Sequence, residues 1–203
     1  ALLIFIISSV VLFLGGMKIK HFIYLAIMCS ALFGFYLFQA SYRLDRITTF
    51  FSPDKDPQVK GYQVLQSKLA VGSGGLLGVS IGEGKQKLFF LPAAHTDYIY
   101  AIAGEELGLI GTLAILFLFA VFLWRGLVIS RKAPNFFSQI VSAGLTLSIF
   151  CQALLNISVV LGMTPSTGIP LPLISFGRSS LLCTLFSIGI LLHISQRRSL
   201  QRQ

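Results

Sequence analysis

All seven acidic residues of this chain fall between Asp45 and Glu106, so a general base or a carboxylate ligand must come from that one stretch. Asp97 has the most suggestive place. It follows Thr96, an N-cap residue type, and opens a long apolar run, so the pattern predicts a first-turn carboxylate kept ionised by the helix dipole. Such a group could serve as a general base, although Asp is also ordinary in first turns with no chemical role. Glu105 and Glu106 lie deeper in the same run. At 100° per residue, Glu105 comes about 80° around from Asp97 and roughly 12 Å along, whereas Glu106 points to the opposite side. Only Glu105 could then share a cavity with Asp97. Carboxylates are costly in lipid, so each should face protein, a wet pocket or a cationic partner. His95 could orient the loop or bind substrate. With no second His or Cys at ligand spacing, it predicts no metal site.

Two other segments invite a chemical reading. Gly72-Ser73-Gly74-Gly75 could be a phosphate cradle, but the spacing fails. A Walker loop needs glycine where Val79 stands and Ser or Thr where Gln86 follows Lys85, and a dinucleotide fingerprint needs Gly or Ala at Leu77. These glycines are expected to be backbone devices ending a short amphipathic helix over Gln58–Val71, whose Val59, Tyr62, Leu65 and Leu69 recur at helical spacing. That helix would lie on the membrane surface. The second segment, Thr164–Pro172, carries three prolines that cannot continue a regular helix. It either re-enters the membrane and walls a substrate site or makes a rigid turn.

The elements that must position these residues are set by composition. Of 203 residues, 55% are hydrophobic and 11% charged, with a mean hydropathy of +0.82, outside the range of soluble domains. Runs suited to crossing a bilayer stand at His21–Ala40, Tyr98–Trp124, Phe136–Gly162 and Ser179–Ser195, with Leu2–Leu14 as a shorter fifth. The fold class expected is therefore an all-α polytopic membrane protein: one membrane domain over 1–203, with a large loop at 41–97. The chain opens inside an apolar run without Met and is expected to be a fragment. A net charge of +9 would suggest nucleic acid in a soluble protein. Here Lys18 and Lys20, then Arg125, Arg131 and Lys132, then Arg197, Arg198 and Arg202 occupy short segments free of acids, the positive-inside pattern. It places those segments in the cytoplasm, the 41–97 loop and Met163–Arg178 on the outer face, and the C-terminus inside. Cys29, Cys151 and Cys183 lie in spans and give neither a disulfide framework nor a zinc signature.

Three blocks carry a resemblance. They are Gly61-Tyr62-Gln63-Val64-Leu65-Gln66-Ser67-Lys68 with Gly72-Ser73-Gly74-Gly75, then Gln86-Lys87-Leu88 and Leu91-Pro92-Ala93-Ala94-His95-Thr96-Asp97 through Gly104-Glu105-Glu106-Leu107-Gly108, and finally Pro165–Gly177. In order and spacing the chain resembles the SEDS family (shape, elongation, division and sporulation), nearest its division branch, the FtsW type, with the RodA-type elongation branch as rival. The resemblance implies a ten-helix fold, of which this chain would supply roughly the last five helices and the large extracytoplasmic loop, inactive without the first half.

It also implies a peptidoglycan glycosyltransferase of septal wall synthesis that polymerises lipid II on the outer face of the bacterial cytoplasmic membrane. Asp97 matches the family's essential aspartate. His95, Thr96, Glu105, Gln66, Ser67, Lys68, Lys85, Thr167 and Ser175 are the expected supporting or substrate-binding residues. Lys68, Lys85 or Lys87 could balance the diphosphate's charge, and a divalent cation, Mg2+ or Mn2+, could do likewise. A class B penicillin-binding protein and divisome membrane proteins are the implied partners. Two other classes of function stay open: a flippase for the lipid-linked precursor, because intramembrane acids and broken helices also mark transporters, and a scaffold for the transpeptidase. The chain departs from the family pattern at Arg178, where glycine is usual, and at Ala93, where Glu is commoner.

Overall fold

A computed structural model describes residues 2–38, 61–80, 82–84 and 96–200. Every regular element among them is helical: α1 Leu2–Leu14, α2 Ile19–Phe38, α3 Gly61–Ser73, α4 Ile99–Arg131, α5 Phe136–Val160 and α6 Arg178–Leu200. The five apolar runs each coincide with a helix, and α4 and α6 continue past their predicted ends. Ile99–Arg131, Phe136–Val160 and Arg178–Gln196 are long and apolar enough to cross a membrane. Bare apolar side chains such as Phe117, Leu118, Phe137, Leu182 and Phe186 cover their outer surfaces, as expected where the surroundings are lipid. This is a membrane protein.

The chain forms two compact units, Ala1–Tyr62 and Gln63–Gln203. In the first, α1 and α2 pack on each other across a turn at Gly15 and Gly16, where Met17 N–H donates to Leu12 O at 3.2 Å. The second holds the core. There α4 and α5 form the principal pair and α6 packs on both, chiefly on α5. Tyr100, Ala101, Phe119, Ile149, Ala153, Ile157, Val160 and Leu171 fill the interior. The two long helices approach closely because small groups meet: a Cβ on Gly126 would lie 2.3 Å from Thr146 Oγ1. Near the far end of the pair, Ser130 Oγ donates to Gln139 O at 2.8 Å. Without an apolar-to-water gradient, helices in lipid associate through such close packing and shared hydrogen bonds.

α4 is broken. Gly108 has φ 67 and ψ −164, a conformation essentially reserved for glycine. In an unbroken helix, Leu109 N–H would donate to Glu105 O and Ile110 N–H to Glu106 O. Instead Leu109 N–H donates to Gly75 O at 2.9 Å and Ile110 N–H to Leu76 O at 3.3 Å, while Glu105 O accepts Val79 N–H at 3.0 Å. The segment after α3 thus enters the break and supplies the rungs the helix lacks. Backbone meets backbone there: a Cβ on Gly74 would lie 2.0 Å from Gly104 O, and one on Gly78 2.1 Å from Glu106 O. Gly74 and Gly78 are spaced like Gly104 and Gly108, and the two small-xxx-small pairs face each other. The break is sharp. Tyr100 Oη donates to Thr112 O at 3.2 Å, although twelve residues of straight helix would separate them by about 18 Å.

α3 begins and ends near its predicted limits. Leu65 and Leu69 are exposed, whereas Ser67 and Ala70 are fully buried, and Gly74 continues that buried line. Where the outside is lipid, small residues take the protein face and leucines the other.

α5 ends in a Schellman turn. Met163 N–H donates to Ser158 O at 2.8 Å and Gly162 N–H to Val159 O at 3.0 Å, with Gly162 at φ +66, the left-handed residue this cap requires. The Val160 carbonyl stays outside that pattern and accepts Ser67 Oγ at 2.9 Å, which fixes α3 to the end of α5.

Candidate active site

The residues around Asp97 come from three segments. Thr96 and Asp97 form the turn ahead of α4, Asn156 lies one turn before the end of α5, and Gly168, Ile169 and Ser175 belong to the segment between α5 and α6. Asn156 Nδ2 donates to Asp97 O and to Ile169 O, both at 2.8 Å. Ser175 Oγ donates to Thr96 O. Gly168 of the facing loop approaches the carboxylate: a Cβ there would stand 3.6 Å from Asp97 Oδ2. Leu171 and Pro172 are buried beneath this loop, and Ser175 N–H donates back to Leu171 O at 3.0 Å. The proline-rich segment therefore walls the Asp97 turn.

One expectation fails. α4 starts at Ile99, its N-cap is Tyr98, and no side chain caps it. Thr96 is not the N-cap, and Asp97 lies just outside the helix rather than in its first turn. The backbone carbonyls of Thr96 and Asp97 are instead held by Ser175 and Asn156 from distant segments, and these tertiary bonds override the local signal. The electrostatics change accordingly. Burial raises the Asp97 carboxyl above its ordinary value, because desolvation penalises the charged form. Among the described residues its carboxylate has no hydrogen bond and no ion pair. A half-buried, unpartnered carboxylate with a raised pKa is a stronger base when ionised than a dipole-stabilised one.

The other sequence-selected residues divide. Ser67 and Lys68 stand at the end of α5 close behind Asn156: Ser67 is fully buried, and Lys68 lies over Gly162, where a Cβ would meet its Cε at 2.1 Å. Lys68 is an exposed residue, beside the negative end of the α5 dipole. Gln66 is half-buried on α3 and Thr167 is exposed beside Gly168. Glu105 is buried, but its described neighbour is Gly84, whose Cβ position is 3.0 Å from Glu105 Oε2 and 3.2 Å from Glu106 Oε1. Both carboxylates thus reach the same glycine. His95 and Lys85 lie outside the described residues.

Sequence reasoning passed over Asn156, which ties the site together. Its signal was a buried-type amide in an apolar span, expensive in lipid unless bonded. No three His, Cys, Asp or Glu cluster among the described residues. A divalent cation there would rest on Asp97 and on oxygens of a bound substrate, the manner in which Mg2+ is commonly held.

The chain is 44% identical over 187 residues to stage V sporulation protein E of Bacillus subtilis, covering 92% of this chain and 51% of that protein. It is 41% identical over 197 residues to the probable peptidoglycan glycosyltransferase FtsW of Geobacter sulfurreducens, covering 97% and 53%. It therefore spans about half the length of these relatives. Among solved structures, it matches a chain described under structural coordination of polymerization and crosslinking by a peptidoglycan synthase complex. That match has TM-score 0.77 and 24% identity, over 98% of this chain and 55% of that one, and shows the shared fold. An alanine mutant of the rod shape determining protein RodA from Thermus thermophilus matches with TM-score 0.51 and 31% identity, over 65% and 40%. The family profile described as cell cycle protein matches residues 1–200, and the chain belongs to this FtsW/RodA/SpoVE family.

Proposed function

We propose that the protein carrying this chain is a peptidoglycan glycosyltransferase that polymerises lipid II in septal wall synthesis. The observation that carries the reading is the half-buried Asp97 carboxylate, without a partner among the described residues and facing the Gly168 loop. In this reading the ionised carboxylate takes the proton of the acceptor sugar's 4-hydroxyl. The hydroxyl oxygen then bonds to the donor's anomeric carbon, the bond to undecaprenyl diphosphate breaks with its electron pair, and the α-linked donor gives a β-1,4 product. Lys68 offers positive charge to the diphosphate from the end of α5, and Lys85 and His95 are further candidates for substrate contact. Mg2+ or Mn2+ would supply additional neutralisation of the leaving diphosphate. The proposed setting is the bacterial cytoplasmic membrane with Asp97 on the outer face, a class B penicillin-binding protein as transpeptidase partner and divisome proteins around it.

A flippase would use a broken helix to offer free backbone groups to its cargo. The break in α4 is already filled by Gly75, Leu76 and Val79, which favours the enzyme. The test is glycan formation from labelled lipid II by the protein at the full length of its relatives, with its transpeptidase partner, comparing wild type with Asp97→Asn. Polymer from wild type and none from Asp97→Asn supports the reading. Equal activity removes Asp97 as the base, and precursor crossing vesicles without polymer establishes the flippase. Neither polymer nor precursor crossing from wild type, with the transpeptidase still bound, leaves a scaffold.

A further inference from the structure

Asn156 is 1% exposed, and both hydrogens of its amide go to backbone carbonyls of segments distant in sequence, Asp97 O and Ile169 O. Its Oδ1 is buried with no hydrogen-bond partner. That fixes the amide's orientation, because a flip would set an acceptor against two carbonyl oxygens. An amide buried with one atom unsatisfied is a poor device for stability alone. What it joins is specific: one recipient is the Asp97 carbonyl, and the other is the residue after Gly168, whose Cβ position is 3.6 Å from Asp97 Oδ2. A single side chain on a long helix thus spans the two backbone segments that enclose the carboxylate. The same helix carries Val160 one turn further on, whose carbonyl accepts Ser67 Oγ at 2.9 Å.

We propose that Asn156 is the positioning residue of this site, holding the Asp97 turn against the Gly168 loop so that the carboxylate meets the acceptor hydroxyl at a fixed distance. The inference rests on the reading of Asp97 as general base. Misplacing a base by about 1 Å can cost on the order of a hundredfold in rate without weakening substrate binding.

The experiment uses the full-length protein as wild type, Asn156→Leu, Asn156→Gln and Asp97→Asn. Polymer formation from labelled lipid II gives kcat and KM. Carbodiimide modification of Asp97, followed across pH by peptide mass spectrometry, reads the protonated carboxyl without turnover. Asn156→Leu is expected to lower kcat about ten- to a hundredfold with KM within about twofold. It should also move the labelling midpoint to lower pH, because a released turn exposes the carboxylate to water. Asn156→Gln keeps a donor and should fall between. A folded Asn156→Leu with unchanged kcat, with a loss confined to KM, or with an unmoved midpoint overturns the proposal. If Asn156→Leu does not fold, the midpoint in Asn156→Gln decides alone. If wild type makes no polymer, or Asp97→Asn remains active, the glycosyltransferase reading fails, while the labelling midpoint still decides whether Asn156 positions Asp97.

Discussion

Replacing Gly108 with alanine tests whether the break in α4 depends on this residue. At φ 67 and ψ −164 an alanine backbone is strained by about 1–3 kcal/mol. Its Cβ would also lie 2.4 Å from Gly78 N and 2.6 Å from Leu76 O, so the inserted segment must back away. That withdrawal loses the bonds from Leu109 and Ile110 to Gly75 and Leu76, worth about 1 kcal/mol net each. The expected loss is about 3–5 kcal/mol, or roughly 6–20 °C in melting temperature for a domain of this size. Melting in detergent, followed by size-exclusion chromatography after heating, measures it. Gly189→Ala is the control, since no atom lies within 4 Å of its Cβ position and a helical Gly-to-Ala change is neutral or stabilising. A straightened α4 would also leave the 74–79 segment without its partners, so limited proteolysis should cut there faster in Gly108→Ala. If that variant melts within about 3 °C of wild type and the segment stays protected, the argument that glycine alone permits the break is wrong.

Asp97→Asn should abolish polymerisation by at least about a hundredfold while melting no lower than wild type at pH 7. Burial raises the carboxyl's folded-state pKa, so its stabilising contribution is full below the unfolded value and is lost as pH rises through the folded one. The neutral amide removes that cost, and the gap in melting temperature should close on acidification. Ser67→Ala leaves the Val160 carbonyl without its 2.9 Å donor and should cost about 1–2 kcal/mol, read as a lower melting temperature with unchanged KM. Lys68→Gln should raise KM for lipid II severalfold at low salt with little change in melting, since the residue is exposed and its effect is electrostatic. An unchanged KM would remove Lys68 from the diphosphate site.

How much of this was legible in sequence depended on which solvent a rule assumes. Long apolar runs translate directly into helices because bilayer thickness sets their length, and the positions of α1, α2, α4, α5 and α6 follow. The helical spacing of Leu65 and Leu69 placed α3 correctly but did not show that Ser67, Ala70 and Gly74 form its protein-facing side. Thr96-Asp97 has the residue types of a helix start, yet Ser175 and Asn156 recruit that turn from segments far along the chain. No local pattern carries such bonds. The break at Gly108 was hidden because one glycine in a helical run is unremarkable. Its signal lay in a pair of spacings, Gly74 with Gly78 and Gly104 with Gly108, that acquire meaning only once the two segments touch.

The break also shortens the part of α4 that runs along one axis. Unbroken, Ile99–Arg131 would extend about 50 Å, well beyond a hydrocarbon core of about 30 Å. The stretch Leu109–Arg131 alone is about 34 Å and matches that core. A straight α4 would carry Asp97 some 14 Å further from the bilayer centre, out into water and away from the headgroup layer. By turning the first part of the helix aside, Gly108 shortens the reach of α4 along its axis, and in the proposed reaction that is what would let a lipid-anchored diphosphate meet the carboxylate without leaving the membrane.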